Sequence, residues 1–183
     1  MTHSYRLIKQ KPYCCVPACL SMVLNRRGIK HGSQGEIGYE LGLTVPKEEV
    51  RRFKKVRTGK KPSSGWGTQV QRKQFSINHY FAIHGIRLRE SYRAPNRIKD
   101  IAATLTADLK RGNDVIACFD HKTLYGKGKW GHAVVVKAVD GTAATLLDPH
   151  SGIRRVNLLK LQQAMKAHGV AKRGGLWVIG RQY

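Results

Sequence analysis

The chain has 183 residues, is 41% hydrophobic, and suits one domain with a sizeable core; no stretch approaches the roughly 18 apolar residues of a membrane span, and Met1-Thr2-His3-Ser4-Tyr5-Arg6 lacks the apolar core of a signal peptide. Lys and Arg number 34 against 11 Asp and Glu, a formal net charge of +23, which exceeds what solubility requires and predicts attraction to polyanions: nucleic acid, ribosomes, acidic proteins or anionic membranes. Three of the four cysteines crowd between positions 14 and 19, which excludes a disulfide framework and makes a reducing cytoplasmic location the default reading, with a secreted effector as the alternative.

The first informative run is Gln10-Lys-Pro-Tyr-Cys14-Cys15-Val16-Pro17-Ala18-Cys19-Leu20. From Pro17 the spacing predicts a buried helix, with Leu20, Met22, Val23 and Leu24 apolar, Asn25-Arg26-Arg27 polar and Gly28 as the stop. Pro17 suits a first helical turn, where its missing N–H costs nothing. Cys15 then falls at the helix start, where free N–H groups and the positive end of the dipole favour a thiolate. A neighbouring histidine is the other arrangement that activates a thiol. Cys14 is the alternative nucleophile; Cys19 and Cys118 read as buried packing residues.

Ser33 and Gln34 precede a short helix through Glu36–Leu41, stopped by Gly42, and Pro46 opens a second through Glu48-Glu49-Val50 to about Phe53 or Val56. Residues 57–73 read as a loop centred on Gly65-Trp66-Gly67, with lysines on its flank. Trp66, Lys60 and Lys61 are its candidate substrate-binding residues: an apolar contact and two charges for an acidic partner. Ser76 caps a helix over Ile77–Ile83, and Arg97–Leu109 reads as another, with Ile98, Ile101, Ala102, Leu105 and Leu109 on one face.

Strands follow: Asp114–Cys118, the pair His132–Val136 and Ala143–Asp148 around the Asp140-Gly141 turn signal, Gly152–Val156 and, after a helix near Leu158–Ala167, Leu176–Ile179. A three-residue loop Val139-Asp140-Gly141, with Gly141 left-handed, sets His132 directly across from Asp148. In that register Asp148 orients the His132 imidazole and His132 serves as base to Cys15.

In these segments, Gln10–Leu24 and Val115–Gly152, the chain resembles the papain-like cysteine peptidases of the double-glycine (bacteriocin leader) peptidase family, as a free-standing relative. The resemblance implies an α+β fold in which N-terminal helices carry the nucleophile and pack against an antiparallel sheet carrying His and Asp, with residues 1–183 forming one domain. It implies Cys15 as nucleophile, His132 as general base and acid, Asp148 as orienter and Gln10 as oxyanion donor. It departs from the family pattern at Cys14-Cys15-Val16, where Asp-Cys-Gly is usual, and in the five-residue rather than six-residue step from Gln10 to Cys15.

The expected function is therefore a thiol hydrolase cleaving a peptide, isopeptide or side-chain amide bond in a protein or peptide substrate, one carrying acidic groups if the basic loop receives it. The alternative is a basic effector or toxin module on the same scaffold that binds nucleic acid or another polyanion in a salt-sensitive way. No cofactor is expected, and the spacing of Cys14, Cys15 and Cys19 does not suit zinc.

Overall fold

The computed structural model describes residues 4–182. Helix α1 (Cys15–Arg26) and α2 (Gln34–Glu40) come first, then α3 (Ile77–Ile83) and strand β1 (Leu88–Arg93). Next are α4 (Ile101–Lys110), β2 (Asp114–Asp120), the short α5 (His121–Tyr125), β3 (Gly131–Asp140), β4 (Ala143–Asp148), β5 (Gly152–Asn157), α6 (Leu158–His168) and β6 (Gly175–Arg181). The six strands form one sheet in the order β1-β6-β2-β3-β4-β5, every neighbouring pair antiparallel. This is the expected α+β layout, helices leading and an antiparallel sheet following.

Alternation along the strands divides the core in two. Ile116, Cys118, Ala133, Val135, Leu147, Trp177 and Ile179 face α1, α2 and α3, while Val115, Ala117, Phe119, Val134, Val136, Leu146, Leu176 and Val178 face α4 and α6. β2 carries apolar residues on both faces because it is covered on both sides. α1 is buried nearly all round and is clamped at its far end, where Arg26 and Arg27 pair with the fully buried Asp114 at the start of β2 and Tyr5 donates to the same carboxylate. A buried charge needs such pairing to be tolerated.

Most of the expected elements form. Ser33 and Glu36 make a capping box at α2, Ser76 caps α3, and α1 begins two residues before Pro17, at Cys15. Five points need correction. The segment after Pro46 is a 3₁₀ helix over Lys47–Arg52. Asp100 caps α4 only from Ile101, after a separate 3₁₀ turn at Pro95–Arg97. β1 is a strand that the pattern hides, because its sequence Leu-Arg-Glu-Ser-Tyr-Arg puts Glu90 on a buried position, paired with Arg173 at 2.7 Å. α5 is too short for periodicity to show; the Asp120 carboxylate caps it, accepting the Thr123 N–H.

The fifth correction concerns the β3–β4 hairpin. The turn is Gly141-Thr142, flanked by paired Asp140 and Ala143, with Gly141 left-handed at φ +56°. Val139 pairs with Ala144 and Ala138 with Thr145, but Val136 then pairs with Leu146, so Lys137 is an extra residue on β3, a β-bulge. Val139 before the bulge and Val136 beyond it consequently pack into the same apolar layer despite their odd and even numbers. Beyond it Val135 pairs with Leu147, which leaves His132 diagonal to Asp148 on one face instead of directly across from it.

Candidate active site

Cys15 is the first residue of α1 and half-buried, its backbone presented at the free N–H end of the helix. Cys14 precedes it as the N-cap, wholly buried against Leu43, Val45 and Phe53, and burial pushes its thiol up to about 12. Tyr13, just before, holds the left-handed conformation at φ 61°, which is uncommon for a bulky residue and turns the chain sharply into the helix. Cys19, one turn along, and Cys118 on β2 are also buried and raised above the ordinary thiol range by desolvation. Of the four thiols Cys15 alone is not buried.

His132 is the second residue of β3 and buried. Its Nε2 hydrogen-bonds Asp148 Oδ1 at 2.8 Å, and its ring also makes a hydrogen bond with the Cys15 thiol. Burial would lower its pKa, but the hydrogen bonds to Asp148 and Cys15 and the charges on both outweigh that and push it up to about 9. Asp148 is equally desolvated, yet the bonds from His132, the backbone N–H of His150 and the Ser151 hydroxyl hold its carboxyl well below the usual range. Ser151 donates its N–H to Oδ1 at 3.1 Å and its hydroxyl to Oδ2 at 2.8 Å, while the buried Tyr125 hydroxyl faces the same carboxylate. The Asp148-Pro149-His150-Ser151 turn thus caps itself on Asp148 and aims that group at His132. Phe119 meets the imidazole edge-on, with ring centroids 5.8 Å apart.

Gln10 reaches this place from the N-terminal segment. Its N–H donates to the Pro149 carbonyl at 2.9 Å, joining that segment to the turn that carries Asp148, and Oε1 of its side chain is buried with no partner. A cavity of about 550 Å³ is lined by Gln10, Tyr13, Cys15 and His132, with Lys61 and Trp66 on the long-loop side. Trp66 is half-buried and lines the cleft rather than standing out in solvent. Lys60 is exposed and outside that lining, so of the two lysines only Lys61 borders the cleft; neighbouring side chains along a loop point different ways, and only one can turn inward. Among the described residues no cluster of three or more His, Cys, Asp or Glu side chains is arranged to hold a metal ion, and no helix is long and apolar enough to cross a membrane.

A family model described as Peptidase C39-like matches residues 2–168. The chain belongs to the peptidase C39-like family. Its class is papain-like cysteine peptidase, and solved peptidases share its fold at low identity. A C39-like peptidase from Bacillus anthracis aligns with a TM-score of 0.63 at 16% identity, over 98% of this chain and 96% of that one. The peptidase domain of ComA from Streptococcus, a bifunctional ABC transporter of a quorum-sensing pathway, aligns at 0.56 and 17%, over 97% and 99%. A double-glycine motif protease from the AMS/PCAT transporter, solved with its leader peptide, aligns at 0.53 and 15%, over 100% and 94%. No curated protein matches the chain by sequence. Nothing in this family or these neighbours favours a nucleic-acid-binding module over a peptidase.

Several residues of the site escape a reading of the sequence. Ser151 and Tyr125 surround Asp148, and the Cys19 thiol donates a hydrogen bond to the carbonyl of Ala133, next to His132, at 3.3 Å. The Asp-Pro-x-Ser turn was the available signal for Ser151; nothing in the spacing points to Tyr125 or to a structural bond from Cys19.

Proposed function

We propose that this C39-like peptidase cleaves peptide bonds through Cys15, His132 and Asp148, with Gln10 as oxyanion donor, within one domain. The observation that carries the reading is the buried His132 imidazole, hydrogen-bonded on one side to Asp148 and on the other to the Cys15 thiol at a helix start. The Cys15 thiolate attacks the carbonyl carbon, and the oxyanion that forms is held by the Cys15 N–H and by the Gln10 amide turned so that its NH₂ faces the cleft. The C–N bond breaks, His132 gives its proton to the departing amine, and a thioester remains. Water, deprotonated by His132, then attacks the thioester and releases the acid, regenerating the thiol. Asp148 holds the imidazole in the tautomer that faces Cys15 throughout. The peptide enters along Trp66 and Lys61, which line the same cavity.

Iodoacetamide labelling of the intact protein at pH 6, followed by mass mapping, tests the reading. Modification confined to Cys15, abolished together with peptide hydrolysis in Cys15→Ala, is expected. Hydrolysis that survives Cys15→Ala, or labelling of Cys14 in preference, overturns it.

A further inference from the structure

A second cavity, of about 790 Å³, opens between α5, β5 and the start of α6; Cys15 does not line it, but His121 and His150 do, with ring centroids 5.5 Å and 6.3 Å from that of His132. Trp130 and His150 line both this cavity and the cleft that holds Cys15, so the two adjoin. Its wall is aromatic and fixed. The Trp130 ring packs on Gly128, where a Cβ would collide with it, and against His121 at a centroid distance of 4.6 Å; Tyr125 meets His121 at 4.9 Å. Trp130 is still 51% exposed, which leaves a face free for a ligand.

The charge on the rim has one sign. Lys127, Arg154, Arg155 and Lys160 line the cavity and no Asp or Glu does. Arg155 is paired with Asp140, and Arg154 donates its Nε to Ser151 Oγ, whereas Lys127 and Lys160 have no ion-pair partner among the described residues. Cationic groups around an aromatic floor beside a peptide cleft suit carboxylate side chains. The direction of the chemistry says which part of the substrate they would meet. The imidazole protonates the departing amine, so the leaving segment lies on its side of the thiol, which is the side on which this cavity opens.

On the strength of the peptidase reading above, we propose that this basic, aromatic-walled cavity is a subsite for acidic residues of the substrate on the leaving-group side of the scissile bond. A fluorescein-labelled glutamate-rich peptide and its glutamine counterpart serve as probes, read by fluorescence anisotropy at low salt. The glutamate peptide should bind, the glutamine peptide should not, and Arg154→Gln/Lys160→Gln should weaken binding by about tenfold, the effect of losing two partly exposed charge contacts. Lys110→Gln/Arg111→Gln, which removes the same charge at the end of α4, should leave it nearly unchanged. Trp130→Ala provides a second variant that leaves the charge intact and should also weaken binding. The glutamate peptide should further slow iodoacetamide labelling of Cys15.

Equal losses in the two charge variants would overturn the subsite, showing only diffuse attraction to a basic protein. A single-stranded oligonucleotide that binds more tightly than the glutamate peptide, and loses as much in Arg154→Gln/Lys160→Gln, would overturn the peptide assignment. Peptide binding that keeps this variant pattern while Cys15 resists labelling would uphold the cavity and remove the peptidase chemistry instead.

Discussion

Cys19 donates its thiol to the carbonyl of Ala133, at 3.3 Å, and so ties the residue one turn beyond Cys15 to the residue just past His132. Where α1 packs on β3, this buried hydrogen bond is thus one of the contacts that hold apart the two groups proposed to react. Cys19→Ala should lower stability by roughly 1 kcal/mol through lost burial and a lost hydrogen bond, and should slow Cys15 labelling several-fold. Cys19→Ser, which keeps a donor, should restore the labelling rate at a similar stability. Denaturant unfolding and labelling kinetics of the two variants separate the effects; equal labelling rates in both would mean that the bond has no part in positioning.

The His132–Asp148 pair makes stability depend on pH in a defined window. His132 is raised to about 9, so its contribution is complete below the ordinary imidazole range near 6.5 and is lost as pH rises through about 9. Asp148 is lowered, so its contribution is complete above the ordinary carboxylate range near 3.9 and is lost as pH falls through its depressed value. The stability gap between the parent protein and His132→Gln should accordingly be widest between about pH 4 and 6.5 and shrink toward pH 9. A gap that stayed flat from pH 5 to 9 would mean the pair is not ionised as described.

Ser151→Ala should uncover the second Asp148 oxygen. Losing a hydrogen bond to a charged group costs about 1.5–3 kcal/mol when the group is buried, and the freed carboxylate should let the imidazole drift. Turnover of a peptide substrate should fall several-fold with KM little changed, a split that steady-state kinetics reads directly. A rise in KM alone would place Ser151 in substrate binding.

Gly131, at the start of β3, has the His168 imidazole lying where a side chain would be. Gly131→Ala must push either His168 or the strand end that carries His132, and a small misplacement there should cost on the order of tenfold in rate or more. His168→Ala in the same chain should recover most of the loss, since it clears the collision. If the double variant is as slow as Gly131→Ala, the glycine matters for some other reason.

Lys61 borders the cleft and Lys60 does not. For an acidic peptide, Lys61→Gln should flatten the salt dependence of turnover, because a charge at the cleft is screened over about 8 Å at physiological ionic strength, whereas Lys60→Gln should leave it as it was. Parallel salt profiles for the two variants would count against a role for the loop's charge.

The strongest patterns could be read directly from the chain. The buried helix after Cys15, the capped helices at Ser33 and Ser76, and the apolar runs of the central strands follow from local propensity and periodicity, which act within a few residues. His132 and Asp148 fell on the same face as expected, yet by another route: the hairpin register rests on Lys137, an extra residue whose presence no turn signal announces. β1 was hidden because its buried Glu90 is balanced by Arg173, 83 residues away in sequence. Trp66 and Lys61 line the cleft while Lys60 does not, a distinction set by how a loop without regular structure folds back on Thr44. Long-range partners decide such positions, and single-sequence reasoning does not see them.

The bulge at Lys137 makes the hairpin sensitive to counting. With Lys137 taken into the ladder and the two-residue turn kept, His132 would stand on the opposite face from Asp148; the residue left out of the pairing is what brings both to one face. Removing Lys137 should therefore straighten the strand while the Val136–Leu146 and Val135–Leu147 pairs, and with them the imidazole and its carboxylate, keep the face they already share. Replacing the bulge by a residue that pairs within the ladder, with the Gly141-Thr142 turn kept, should send the two to opposite faces. In this hairpin the number of paired residues, as much as their identity, decides whether a histidine and an aspartate can meet.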